Sequence, residues 1–465
     1  MRFFRAVIII IVVLVLNYTS GWTYETGTET TVPIEDTVIV PASDRYAYMS
    51  ALKWAFLGRN YRREWSVPVA MPVFHISTTK GGFTIEKLGG GQQTTSLHLI
   101  NNDGSEWVLR SVDKNVELAI SPKIRNTFIQ DIVQDQISAA HPYGLLTIHT
   151  LARSAGIPAP TAELYYVPDD PNLDTFRHRF AHKVCMLLPK AIDGASGDME
   201  DTDEIQEELL DSSNRYRVLQ EEVLTARLLD MLLADWDRHQ GQLEWAMKDS
   251  AGLTWLYPVP EDRDQAYFRA SGVIPFVISK LALPHMVGFK EKPKNLAKLS
   301  KKSHQFDRNY MSRLDRQDWI RLIREFQNRL TDSVIHAAVS QMPREAYLIS
   351  GADIEEKLRE RRNGLLEHGL EYYRFLSDEV LLRSSLEPEK FSITTSGDST
   401  TVTVTDLNSG DELYRRVVLP KETSKIKILN LDHNDQVDRS AHRGRIKLEL
   451  VPRPAPEADE STAGK

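Results

Sequence analysis

A single cysteine, Cys185, in 465 residues excludes an intrachain disulfide and any cysteine-rich zinc site. Thirteen histidines form no H-E-x-x-H and no H-x-H pattern, which disfavours a zincin. Ser96 and Ser271 lack a G-x-S-x-G nucleophile elbow. Glycine (24) and proline (22) are too few, and too irregular, for a collagen-like or low-complexity chain. Positive charge is not in excess: 57 Lys+Arg against 65 Asp+Glu leave a net −8. That balance argues against nucleic acid as a partner, because such binders must neutralise phosphates. No internal repeat of solenoid period is visible. The charged share of 26% and hydrophobic share of 41% are those of an ordinary globular protein. At about 150 residues per domain, the length predicts roughly three domains.

Long apolar runs are also scarce, and one stands at the front. Met1-Arg2-Phe3-Phe4-Arg5 carries two positive charges, and Ala6 to Leu16 is unbroken apolar sequence. This is the pattern of a secretory leader over 1–21, too short to span comfortably as a transmembrane helix. It predicts export to the periplasm or a membrane-associated place in the cell envelope. The chain then carries either a leader cleaved near residues 20–22 or an uncleaved anchor. Residues 22–45 are polar and Thr-rich, and read as a linker.

Residues 46–195 read as a β-rich unit. Strand patterns cover 67–77, 95–100, 106–112 and 162–167, and a helical stretch covers 127–155. Asn101-Asn102-Asp103-Gly104 between alternating apolar runs is a hairpin signal. Residues 196–388 are mostly helical, with apolar periodicity over 204–233, 318–342 and 354–382. Two short strands, near 243–246 and 254–259, interrupt them. Residues 389–452 read as about five short strands, a small sandwich-like module. Residues 453–465 have a disordered composition.

Two acidic clusters carry the chemistry. The apolar helix ending at Leu233 runs into Asp235-Trp236-Asp237-Arg238-His239-Gln240-Gly241-Gln242. Pro260-Glu261-Asp262-Arg263-Asp264-Gln265-Ala266 follows an apolar strand. About 25 residues and a strand pair separate them, so a hairpin would bring them face to face. Hard cations such as Mg²⁺ use one or two carboxylates plus substrate phosphates, which this constellation offers. The same residues fit a hydrogen-bonded acid/Arg/His knot bracing two helices. Gly89-Gly90-Gly91 could let backbone N–H groups approach phosphate, or form a plain flexible turn.

A β-rich half, an α-rich half and this motif order resemble the protein-kinase-like fold. Asp237-Arg238-His239 is similar to the D-R-H-x-x-N catalytic loop of HipA-type, CotH-type and secretory-pathway kinases. Asp262-Arg263-Asp264 resembles the metal-binding segment that follows it. A closer resemblance is to a family of exported Gram-negative proteins often joined to metallophosphoesterase or outer-membrane barrel modules. It runs collinearly through Gly89–Leu97, Val108–Lys114, Gln134–Pro142, Val167–Pro171, Ala226–His239 and Pro260–Ala266.

The resemblance implies a bilobal α+β fold and ATP- and Mg²⁺-dependent transfer to an unknown acceptor. Asp237 would be the catalytic base. Gln242 would stand in place of the metal-binding Asn, and Asp262 or Asp264 would hold the metal. Arg110 would contact phosphate, with Lys114 as its rival, and Asp135 would be that cation's acidic partner. Gly89, Gly90 and Gly91 would cover the nucleotide. The chain departs from the kinase pattern in lacking G-x-G-x-x-G and V-A-I-K, and in carrying Gln for Asn. Those departures support a second reading, a catalytically inactive binding module of the envelope whose C-terminal β module docks an envelope or outer-membrane protein. Lys290, Lys292, Lys294, Lys298, Lys301 and Lys302 crowd thirteen positions and read as a solvated loop or an anionic-surface patch. His141 and His149 read as core or capping residues, and Cys185 as an apolar filler.

Overall fold

The computed structural model describes residues 37–454, except 48–49, 90–94, 118–119, 121, 123–124, 126, 193–194, 196–198, 213 and 282. The expected leader, most of the expected linker and the tail from 455 lie outside the described residues, as do Gly90 and Gly91. The last residues of the expected linker enter the fold. Strand β1 (Thr37–Val40) pairs antiparallel with β2 (Val69–Pro72), Thr37 opposite Pro72.

The β-rich half is a five-stranded antiparallel sheet. Its strands are β3 (Phe83–Gly89), β4 (Ser96–Asn101), β5 (Glu106–Ser111), β6 (Glu163–Val167) and β7 (Lys183–Pro189), in the order β3-β4-β5-β7-β6. Period-two alternation sends Leu97, Leu99, Leu109, Cys185 and Leu187 into one buried cluster with Phe74 and Phe180. Cys185 is thus the filler its surroundings suggested, and burial pushes its thiol up to about 12. The β4–β5 hairpin closes as expected. Gly104 takes a positive φ of 84°, and its N–H donates to the Asn101 carbonyl at 2.9 Å.

Between β5 and β6 lie two helices, Phe128–Asp135 and Ile148–Ala155, where periodicity alone suggested one long stretch. The turns Gln136–Ala139 and Gly144–Thr147 separate them, around Pro142, which has no N–H to continue a helical ladder.

The second half is mostly helical. The 204–233 periodicity resolves into helices Thr202–Asp211 and Gln220–Leu233. Between them, strand β9 (Tyr216–Val218) joins a second sheet of order β8-β10-β11-β9, with β8 (Met199–Asp201), β10 (Leu243–Ser250) and β11 (Leu253–Pro260). The 318–342 stretch is likewise two helices. Arg316–Arg329 starts at an Asp315 capping box, and Asp332–Val339 is capped by Thr331. Trp319, Leu322, Ile323, Phe326 and Leu330 are buried, as their spacing predicted.

Helix Ala352–Ser377 ends earlier than its apolar pattern. Val380, Leu381 and Leu382 instead form strand β12 (Glu379–Arg383), which pairs parallel with β16 (Lys425–Leu431). The all-β module is therefore two sheets. One has the order β12-β16-β18, with β18 at Lys447–Pro452. The other has the order β15-β14-β13-β17, from Glu412–Val418, Ser399–Asp406, Glu389–Ser396 and Gln436–Asp438. They share a core of Val380, Phe391, Ile393, Val402, Ile426 and Ile428.

The fold is α+β. Its first sheet runs 1-2-3-5-4, a helix bridges its third and fourth strands, and a helical half follows.

Arg361 locks that half together. It is buried on helix Ala352–Ser377, and its Nε donates to the Leu232 carbonyl at 2.6 Å. Its other nitrogens reach the Met231 and Lys290 carbonyls. The Met231 and Leu232 carbonyls lie in the last turn of helix Gln220–Leu233, where intrahelical donors run short, and the Lys290 carbonyl lies in a loop. Burial pulls the guanidinium down to about 9. Arg361→Met should cost about 3 kcal/mol in urea unfolding, because it takes a buried donor from three carbonyls at once.

Candidate functional site

Helix Gln220–Leu233 ends at Ala234, in the left-handed region at φ 57°, and the Asp235 N–H returns to the Asp230 carbonyl at 3.0 Å. This turn releases residues 235–239 as a loop. The chain then enters β10 through a short 3₁₀ turn, Gln240–Gln242. The β10–β11 hairpin pairs Leu243 with Pro260. The residues just outside that pair therefore meet, and the Glu261 N–H donates to the Gln242 carbonyl at 2.9 Å. The two acidic clusters are face to face, as their spacing predicted.

Alternate residues of the first cluster do different work. Asp235 and Arg238 point inward, where the expected acid/Arg knot forms, and Asp237 lines the cleft. Arg238 joins a buried knot centred on Asp230. Asp230 Oδ2 accepts from Arg227 at 2.7 Å and from Arg238 Nε at 3.0 Å, and Oδ1 accepts from Arg263 Nε at 2.8 Å. Arg227 also donates to Asp307 at 2.8 Å. Burial alone would raise the Asp230 carboxyl, but three guanidiniums hold it well below the carboxylate range. Through Asp230, the loop (Arg238) and the acidic segment (Arg263) share one anchor. Asp230 and Arg263 had no role in the sequence reading. The signal was there: an acid inside an apolar helix, three residues after an Arg, needs buried cations.

Asp235 has the opposite fate. Burial pushes it up to about 7, with Arg238 opposing, and its Oδ2 has no hydrogen-bond partner. A carboxyl raised by folding favours the native state below its unfolded value near 3.9, and that contribution fades as pH rises to about 7. Asp235→Asn should flatten this fall. Thermal melts at about pH 5 and about pH 8 should differ less in the variant than in the wild type.

A cleft of about 700 Å³ opens above the knot. Ser96, His98, Val108 and Arg110 of the first sheet form one wall, and Asp237, His239, Gln242, Asp262 and Asp264 the other. Six of the anticipated residues thus share one cleft: Asp237, Gln242, Asp262, Asp264, Arg110 and Lys114. Arg110 reaches Asp262 at 3.1 Å and Asp264 at 3.8 Å. Lys114 pairs with Asp264, so both cations face the acidic segment. Burial raises both carboxyls, but Arg110 and Lys114 overcome it at Asp262 and hold that group low. At Asp264, burial and the Asp262 charge win, and the group is raised. Neighbouring acids with separated affinities for a proton are a common feature of working sites.

Asp262 offers a test of the metal expectation. It sits at a positive φ of 46°, and its Oδ1 is buried without a hydrogen-bond partner. An orphaned carboxylate oxygen beside a second carboxylate suits a hard cation. Asp262, Asp264 and the Gln242 amide are the residues that could hold it. Among the described residues, no three His, Cys, Asp or Glu donors of this cleft lie within 4.8 Å of one another; the group that does is Glu367, His368 and Glu371, elsewhere.

Asp135 is a correction. It was expected to pair with Arg110, but Arg62 Nη1 donates to it at 2.9 Å. Arg62 lies on the short helix Arg62–Ser66, outside the sheet, where no local pattern announced it. Lys302, read as solvated, pairs with Asp237 and lies 5.3 Å from the centre of the Trp236 ring. Gly89 pairs with Ser96 at the end of β3, and a Cβ there would lie 2.2 Å from His98 Nε2. A side chain at 89 would therefore have to displace the His98 ring from the cleft wall.

No protein-family model and no curated protein matches the chain. Among solved structures it is similar to the Helicobacter pylori proinflammatory kinase CtkA, at 12% identity and TM-score 0.33, over 60% of this chain and 94% of that one. It is also similar to the Rio2 kinase of Chaetomium thermophilum, solved as an ADP/Mg²⁺-phosphoaspartate complex, at 11% identity and TM-score 0.25, over 69% and 83%.

Proposed function

We propose that the chain is an exported phosphotransferase that moves a phosphoryl (or nucleotidyl) group from ATP to a hydroxyl acceptor in the cell envelope. The carrying observation is the convergence of Asp237, Gln242, Asp262, Asp264, Arg110 and Lys114, from three separate segments, on one cleft. Mg²⁺, when bound, supplies neutralising charge to the nucleotide phosphates. Arg110 and Lys114 exchange carboxylates for phosphate oxygens as the nucleotide enters. Asp237 orients the acceptor hydroxyl and takes its proton. Lys302, beside it, holds that carboxylate in the cleft. The apolar run Ala6–Leu16 supports export, to the periplasm or to the membrane surface. The test is transfer of label from ATP into envelope extract. Wild-type protein should label an acceptor and Asp237→Ala should not. Equal labelling by both would remove Asp237 from the mechanism.

A second reading, an inactive kinase-like module that binds a partner through its C-terminal β module, is favoured by one observation. Each aspartate lining the cleft already has a cation: Asp237 with Lys302, Asp262 with Arg110, and Asp264 with Lys114. In that case the protein should recover an outer-membrane or envelope partner from extract, and deletion of residues 389–452 should release it.

A further inference from the structure

Two segments far apart in the chain, 46–63 and 265–290, contain no aspartate or glutamate. Each carries a short helix, Ala51–Leu57 and Val273–Leu281, and the two pack against each other. Glycines set the close approach. A Cβ at Gly58 would lie 2.0 Å from the Ser271 carbonyl oxygen, and one at Gly272 would lie 2.5 Å from the Gly58 nitrogen. Both glycines have positive φ, 88° and 99°. Polar bonds then fix the junction. The Arg59 N–H donates to Ser271 Oγ at 3.0 Å, and the Ser271 N–H donates to Asn60 Oδ1 at 3.1 Å.

The joined pair presents large apolar side chains to the outside. Phe276 is 62% exposed, Val273 52%, Trp54 46% and Leu283 38%. Cations sit on the two aromatic rings: Lys280 Nζ lies 5.7 Å from the Phe276 centroid, and the Arg59 guanidinium 5.1 Å from that of Trp54. Among the described residues, Lys53, Arg59 and Lys280 have no carboxylate partner, whereas Arg269 faces Asp353 at 3.8 Å.

We propose that this helix pair is a docking surface for an anionic lipid membrane. Apolar and aromatic side chains beside unpaired basic ones suit the headgroup boundary. The apolar groups leave water there, and the cations meet phosphate. The two segments themselves contribute no carboxylate to repel such a bilayer. Charge also selects this occupant over a neutral protein groove, which would leave three cations unpaired. Neither helix is long enough to span, and among the described residues no helix is long and apolar enough to cross a membrane. The contact is therefore interfacial. It is independent of the chemistry proposed for the cleft.

The test uses the full chain. Cys185 is buried, so Val277→Cys adds the reactive thiol, which is labelled with an environment-sensitive fluorophore. The label should shift to the blue on vesicles of phosphatidylcholine mixed with phosphatidylglycerol, and should be quenched there by brominated lipid. Pure phosphatidylcholine should give neither response. Lys53→Glu with Lys280→Glu should weaken vesicle binding ~10-fold or more. Phe276→Ser, measured by sedimentation of unlabelled protein, should act in the same direction. A label that stays in water while the protein sediments would assign the membrane to the N-terminal run alone and overturn the proposal. So would a blue shift that follows protein concentration without vesicles, because a second copy would then cover the face.

Discussion

Asp230→Asn is expected to destabilise the protein by ~3–5 kcal/mol, the usual cost of breaking a buried ion cluster from one side. The substitution keeps the shape of the side chain and removes its charge. Arg227, Arg238 and Arg263 then remain buried with Asp307 and Asp235, and Asp235 is the carboxyl that burial holds toward its neutral form. Urea unfolding measures the loss. Its pH dependence gives a second check. A carboxyl depressed by folding contributes stability above its unfolded value near 3.9, and loses it as pH falls toward the folded value. The wild type should therefore lose stability in strong acid by more than Asp230→Asn does. Function should fall with the fold, because Arg238 and Arg263 tie both acidic segments to Asp230.

Asp237→Asn is expected to leave stability almost unchanged and to cut turnover by ~10²–10⁴-fold, the range for loss of a positioned general base. The residue borders the cleft, and its one described ionic partner is Lys302. Nucleotide affinity should stay within about threefold, since the role proposed for the group is on the acceptor and not on the phosphates. Single-turnover kinetics with separately measured binding distinguishes the two effects. A matched fall in affinity and rate would mean that Asp237 supports the nucleotide site instead.

Much of this site is legible in the sequence because it is built by short-range rules. The interval between Asp237 and Asp262 is one hairpin, and hairpin register follows from strand lengths and the Ala251-Gly252 turn. Placement of Arg110 follows from its position near the end of β5, opposite Ser96. What could not be read are pairings across long separations. Arg62 takes Asp135 from 73 positions away, and Lys302 reaches Asp237 from 65. Neither is encoded by spacing. The merged helices failed for a related reason. Tyr216 and Val218 suit a helical apolar face as well as a strand. Pairing with Thr254 and Leu256 of β11 decides between them, and that partner lies outside any local window. The end of helix Ala352–Ser377 is the same case, with β16 as the deciding partner.

Calorimetric titration of ATP, with and without Mg²⁺, into the wild type and Asp262→Asn tests the central claim most directly. We predict Mg²⁺-dependent binding by the wild type, and loss of the Mg²⁺ dependence when the Asp262 carboxylate is removed. Absence of nucleotide binding by the wild type would contradict the account, as would Mg²⁺-dependent binding unaltered in Asp262→Asn.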